Sequence, residues 1–256
     1  MLSTGTAGRR LRAGLAAIAA VVAAWTLTAP AAQAGRCSNA SNVGAATVLD
    51  FRFCGDSEGW SGGFADLPSS GLADPAFGLS FGRAPLPPSS GLLGEGLRIA
   101  GTNASDDLLM FLKRQVTGLR PQARYAARFQ VRFATNTGRA CSGDLSESVT
   151  AKAGAGPVEP QAVRDAAGIL RLNLDVGRQA RPGADAVVLG SAGADGIGCS
   201  GRWYAVRTLA SRDGAQVARS DRDGNLWLFL GFDSGFAGRT DIHLERVRVE
   251  LAPLER

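Results

Sequence analysis

The chain carries a single histidine, His243, and no C-x-x-C pair among its four cysteines. A zinc site of clustered His and Cys ligands is therefore excluded. Any serine-histidine-acid triad would have to draw on that one imidazole. No apolar run reaches the roughly 20 residues needed to span hydrocarbon. The longest, Ala13 to Ala24, is alanine-rich and is followed by Thr26, Thr28 and Pro30. Helical periodicity is nearly absent, and only Gln161 to Ala167 reads as weakly helical. Basic residues outnumber acidic ones by 28 to 23. No Lys/Arg cluster is interleaved with aromatics, however, so the charge does not point to nucleic acid.

What is present begins with an export signal. Arg9, Arg10 and Arg12, without an acidic neighbour, precede the apolar run, and the stretch Trp25 to Ala34 ends in Ala32-Gln33-Ala34. This order predicts a secretory signal peptide over residues 1–34, cleaved after Ala34. Cys37 follows Gly35 and Arg36 rather than a small-residue box, which argues against a lipid anchor. The expected product is secreted or periplasmic, with no membrane span after cleavage. Three arginines leave with the leader, so the positive balance falls from +5 to +2. Residues 35–256 suit a single β-sandwich domain.

Cys37, Cys54, Cys141 and Cys199 all lie beyond the leader. An oxidising compartment lets disulfides persist there, and three pairings are open. The favoured one joins Cys37 to Cys54 and Cys141 to Cys199, the latter two in Gly/Ser-rich loops. In a chain-entropy model these closures contribute about 3 and 4 kcal/mol.

Strand signals fill the remainder. Val48 to Phe53 opens the series after a polar lead-in, Gly35 to Gly44. Phe77 to Phe81 and Leu97 to Ala100 flank the proline-rich Pro85 to Pro88, which forbids a central strand. Leu108 to Val116 is apolar on both faces. From Arg124 to Ala134, Tyr125, Ala127, Phe129, Val131 and Phe133 alternate with polar or small residues, a clear period of two. The same alternation recurs at Leu170 to Val176 and Val247 to Leu251. Asp223-Gly224-Asn225, between Gln216 to Arg219 and Leu226 to Leu230, predicts a hairpin. Roughly ten strands with Gly/Pro/Ser/Asn turns predict an all-β, antiparallel two-sheet sandwich of jelly-roll type.

The stretches Ser61-Gly62-Gly63-Phe64-Ala65-Asp66-Leu67-Pro68, Ser105 to Arg114 (SDDLLMFLKR) and Asp233-Ser234-Gly235-Phe236-Ala237-Gly238 resemble those of a group of secreted bacterial β-sandwich proteins of uncharacterised function. That resemblance implies a location and an architecture, not a reaction. More loosely, the chain resembles carbohydrate-binding jelly rolls, in which an opening strand leads to an acidic-Gly-Trp turn and the last strand carries an acid in an apolar frame. The matching residues are Glu58-Gly59-Trp60 and Glu245, within Ile242 to Val249. Such modules often hold a structural calcium ion between first and last strands, so this resemblance implies Asp50 and Glu245 as its oxygen ligands.

Known catalytic patterns are poorly matched. Gly78-Leu79-Ser80-Phe81-Gly82 fits G-x-S-x-G, but a nucleophile elbow needs a strand running into a helix, and prolines follow instead. Asp233-Ser234-Gly235 lacks the residues that would complete a protease segment. Asp221, Asp223 and Asn225 have calcium-loop spacing with glycine in the wrong place. Acids are plentiful: Asp106, Asp107, Asp144, Glu147, Glu159, Asp175 and Asp233. Adjacent strand residues point to opposite faces, so Asp106 and Asp107 are not expected to share a site. One of them, Asp107 by preference, is expected to line a ligand site with Asp233 at a sheet end. Among aromatics able to stack on a sugar, Trp60 and Trp203-Tyr204 lie beside glycine-rich turns and are expected to be exposed. Trp227 is expected to be buried.

The leading expectation is a secreted, non-catalytic binding module for a glycan or cell-surface ligand, using Trp60, Asp107, Trp203 and Asp233. The second is a structural or partner-binding envelope protein that presents Arg128/Arg132 and Arg246/Arg248. A third is a carbohydrate-active hydrolase or lyase using paired acids.

Overall fold

A strand whose alternate residues are apolar must lay one face on another layer, and this chain has enough such strands to build two. The computed structural model describes residues 39–43, 45–139, 149–211 and 216–255. In chain order the strands are β1 (Asn39–Val43), β2 (Ala46–Phe51), β3 (Ser61–Ala65), β4 (Leu67–Pro68), β5 (Ser80–Pro85), β6 (Glu95–Thr102), β7 (Leu108–Val116) and β8 (Arg124–Thr135). There follow β9 (Val149–Gly156), β10 (Ala162–Arg164), β11 (Ile169–Leu172), β12 (Val187–Ser191), β13 (Ala205–Ala210), β14 (Gln216–Arg219), β15 (Leu226–Ser234) and β16 (Arg239–Pro253). Among the described residues the only helical turns are 3-10, at Ser69–Leu72 and Pro88–Ser90.

The first sheet runs β1-β2-β16-β6-β5, with β8 also on β16 and with β13 and β14 both along β8. The second runs β12-β9-β15-β7-β3. All of these pairings are antiparallel, and the chain keeps changing layer: β6 to β7, β7 to β8, β8 to β9, β14 to β15 and β15 to β16. Near the chain ends, β2 and β16 pair through Leu49↔Val249 and Phe51↔Val247. The result is the expected all-β two-sheet sandwich of jelly-roll type.

Between the layers lie Phe129, Val131 and Phe133 of β8, Met110 and Leu112 of β7, Leu228, Leu230 and Phe232 of β15, and Ile242, Leu244 and Val249 of β16. A register shift between Leu244 and Arg246 resets the alternation along β16. Phe133 and Phe232 meet across the layers with ring centroids 5.4 Å apart. Fully burying each such side chain contributes about 1.5–3 kcal/mol.

Leu108 to Leu112 is apolar on both faces for a reason visible in the fold. Leu109 and Phe111 point outward from the second sheet into a separate cluster with Ala65, Val176, Ala186 and Phe229. An excursion of residues 157–186, between β9 and β12, covers that outer face. It carries β10 and β11, which with β4 form a three-stranded sheet.

Three local expectations are corrected. Gln161 to Ala167 is not helical: β10 pairs with β11 as a hairpin, its turn held by the Asp165 carboxylate, which accepts from Ala167 N and Ile169 N at 2.9 Å each. Asp223-Gly224-Asn225 is a tight turn but joins no hairpin, since β14 pairs with β8 in one sheet and β15 with β7 and β9 in the other. Gly224 (φ +78°) lies so close to the Leu119 carbonyl that a Cβ would stand 2.2 Å from it, so the turn packs on that loop instead. The polar lead-in contains β1.

The expected signal peptide (residues 1–34), Cys37, Cys141, Asp144 and Glu147 lie outside the described residues. Each favoured cysteine pair therefore has one member outside them. Among the described residues no helix is long and apolar enough to cross a membrane.

Candidate functional site

At the end of the second sheet where β7 begins, a cleft of about 590 Å³ opens between the sandwich and the excursion. Its polar wall is Asp66, Ser105, Asp106, Asp107, Arg171 and Arg178, and Leu67, Pro68 and Ile169 add an apolar floor. Asp106 and Asp107 both line it. The expectation that they diverge fails because Asp106 adopts φ +67° ahead of the strand, a left-handed conformation that breaks the alternation. Asp66, also left-handed at φ +59°, sits in the one-residue link between β3 and β4 and accepts from Arg171 Nη1 at 2.9 Å. Burial raises its pKa against the opposing pull of Arg171.

Asp107 is the most perturbed group in the cleft. Burial, then the carboxylates of Asp233 and Asp66, push its pKa up to about 6, with Arg178 and Arg171 opposing. Its Oδ1 is buried and has no hydrogen-bond partner among the described residues. Beneath it on β15, Asp233 is 3% exposed, and its Oδ2 accepts from Lys152 Nζ at 2.9 Å and from Gln179 N at 2.7 Å. Asp107 and Asp233 are therefore coupled electrostatically, but of the two only Asp107 lines the cleft, Asp233 being buried below it.

A carboxyl whose folded pKa is raised contributes stability that is fully present below its unfolded value of 3.8 and is lost as pH rises through about 6. Asp107→Asn removes that loss. Allowing for solvent screening, it is expected to be about 1 kcal/mol more stable than the wild type at pH 8 and indistinguishable at pH 4. Urea titrations at the two pH values measure this, and an equal effect at both would contradict it.

The other expected ligand residues lie elsewhere. Trp60 is 3% exposed and packs edge-on against Phe51 at 5.5 Å, so it is a core residue. Its Glu58-Gly59 turn is structural: Glu58 Oε1 accepts from Phe53 N, and the Glu58 carbonyl accepts from Arg114 Nε. Trp203 is 62% exposed, but it precedes β13 of the first sheet, on the other layer from Asp107. Trp227 departs from the expected burial. It is half-buried on the outer face of β15, with Lys113 Nζ 5.8 Å from its ring centroid, beside a cavity of about 120 Å³ lined by Phe229, Leu174 and Asp185.

Asp50 and Glu245, the expected calcium ligands, are both engaged by arginines. Both Asp50 oxygens accept from Arg246, at 2.6 and 2.8 Å, and Glu245 pairs with Arg132 at 3.0 Å. No set of three or more His, Cys, Asp or Glu suited to a metal occurs among the described residues. These same pairs, with Arg128–Glu250 at 3.7 Å, neutralise much of the arginine-bearing face expected to meet an envelope partner. Ser80 and His243 lie on β5 and β16 with β6 between them, too far apart for a nucleophile–base hydrogen bond.

Sequence reasoning passed over Asp66, Arg171, Arg178 and Lys152. Lys152 had a readable signal: Thr150, Lys152, Gly154 and Gly156 alternate with Val149, Ala151, Ala153 and Ala155, and a glycine next to it on that face, Gly154, marks a surface closely covered by other backbone.

No protein-family model matches the chain, and neither does any curated protein. Among solved structures, the bacteriophage CBA120 tailspike protein 4 enzymatically active domain is 10% identical at a TM-score of 0.31 over 76% of this chain, which spans only 20% of that one. TmCBM61 in complex with beta-1,4-galactotriose is 12% identical, at a TM-score of 0.34, over 76% of this chain and 90% of that one. The family 11 carbohydrate-binding module of the cellulosomal cellulase Lic26A-Cel5E of Clostridium thermocellum is 12% identical, at a TM-score of 0.34, over 84% and 99%. Likeness at this level assigns no ligand.

Proposed function

We propose that the protein is an exported, disulfide-bearing, non-catalytic module that binds a glycan in the cleft at the start of β7. The observation that carries this reading is Asp107, a cleft-lining carboxyl with a buried oxygen that has no partner among the described residues. Sugar hydroxyls both donate and accept. Asp66 and Asp107 offer acceptors, while Arg171 and Arg178 offer donors within the same cleft. Exposed Trp203 lies on the other layer, so this reading assigns it no part in the cleft.

Polysaccharide and glycan-array screening of the chain, followed by calorimetric titration of the best ligand, tests the reading. Asp107→Ala and Arg178→Ala are each expected to weaken binding about tenfold or more, with Trp203→Ala unchanged. Failure to bind any polysaccharide would sink it. Sugar release abolished by Asp107→Asn would replace it with a hydrolase or lyase.

A further inference from the structure

Among the described residues Lys152 is the largest polar side chain sealed inside the protein. It is 0% exposed, and its Nζ contacts Asp233 Oδ2 at 2.9 Å. The two residues lie on neighbouring central strands of the second sheet, where β9 pairs with β15 through Lys152↔Gly231 and Thr150↔Asp233. The outer face they share carries Leu109, Phe111 and Phe229 beneath the excursion. Asp233 Oδ2 also accepts from Gln179 N at 2.7 Å, whereas Asp233 Oδ1, fully buried, has no partner among the described residues. An ion pair gains little in so dry a place, because the desolvation of both ions offsets much of their attraction. The two groups are nonetheless held at the separation from which an amine reaches a carboxyl carbon.

We propose that Lys152 and Asp233 condense into an isopeptide bond that covalently ties β9 to β15. Within the pair one proton passes from Nζ to the carboxyl group, leaving an amine and a carboxylic acid. Nζ attacks Asp233 Cγ and the new C–N bond forms. The C–Oδ1 bond breaks, and Oδ1 departs as water carrying its own proton and one from Nζ. No oxidant or other reactant is consumed. The hydrogen bond from Gln179 N is already placed on the oxygen that stays, where it steadies the charge that develops there during attack. The atom without a partner is the one that leaves. Asp107, in electrostatic contact with Asp233 and held partly as an acid near neutral pH, is a group able to shuttle the proton.

The test is peptide mapping of the folded, full-length chain after reduction and denaturation. The expected result is no tryptic cleavage after Lys152 and a branched species joining the Lys152 and Asp233 peptides, lighter than their sum by one water. A clean cut after Lys152 with a free, unmodified Asp233 peptide from chain shown to be folded would overturn the proposal. Asp233→Asn is a second variant, nearly isosteric with the native side chain: in chain shown to be folded it is expected to give the same branched amide with loss of ammonia instead of water, and a wholly linear, folded Asn variant would count against the mechanism. The bond is independent of glycan binding, since a chain that binds no sugar still gives one map or the other.

Discussion

Asp241→Ala is expected to destabilise the folded chain by about 1.5–3 kcal/mol at pH 7, the cost typical of losing hydrogen bonds to a charged group, since Arg98, left without its acceptor, is 31% exposed. Asp241 is buried on β16 and accepts from Arg98 Nε and Nη2 at 2.9 and 2.5 Å. His243 Nε2 lies 3.2 Å away, and its ring meets Tyr204 edge-on at 5.5 Å. Burial alone would raise the Asp241 pKa, but His243 and Arg98 together hold it well below the usual carboxylate range. Tyr204 is pushed the other way, to about 12, by burial and then by the Asp241 carboxylate. A depressed carboxylate contributes stability that is present above its unfolded pKa and lost as pH falls through the folded one. The gap between wild type and Asp241→Ala should therefore be widest near neutral pH and shrink in strong acid. Urea denaturation across that range measures it, and a difference below about 1 kcal/mol at pH 7 would show that solvent reaches Arg98 easily once the acid is gone.

This cluster also shows why parts of the molecule were legible in the sequence and parts were not. The layers could be read because a half-buried strand announces itself by alternation: Tyr125 to Phe133 and Val247 to Leu251 face the core as their pattern requires. Asp107 and Asp233 could be named because acids beside apolar runs are conspicuous. What joins Arg171 and Arg178 to Asp107 is the excursion, which returns the chain 64 residues and more after it, and Asp66 arrives on the β3–β4 link; no local pattern carries that. Trp60 misled because flanking glycines suggest an exposed turn, whereas Gly59 (φ +77°) only lets the turn fold back so that the indole enters the core. Trp227 misled in the opposite sense. Leu226 and Leu228 flank it, yet they face inward and the indole faces out, as alternation along a strand demands.

Gly154→Ala is expected to cost about 1–3 kcal/mol through overpacking and to free the excursion. A Cβ at residue 154 would stand 2.1 Å from the Asp185 carbonyl oxygen, and backbone cannot swing aside as a side chain can. That carbonyl also accepts from Gln216 Nε2 at 2.7 Å, and Asp185 Oδ2 accepts from Asp175 N at 2.8 Å, so displacing it undoes the return path of the excursion. Gly156 supplies the control. It lies two residues along on the same face of β9, and a Cβ there meets nothing within 4 Å. Gly156→Ala should be neutral, or slightly stabilising because alanine narrows the unfolded ensemble. Arg171 and Arg178 ride on the excursion, so Gly154→Ala should weaken cleft binding as well as stability, and trypsin should gain access to residues 157–186. If both variants behave alike, the excursion is not clamped at Asp185, and the cleft owes its shape to the β3–β4 link and Asp106 instead.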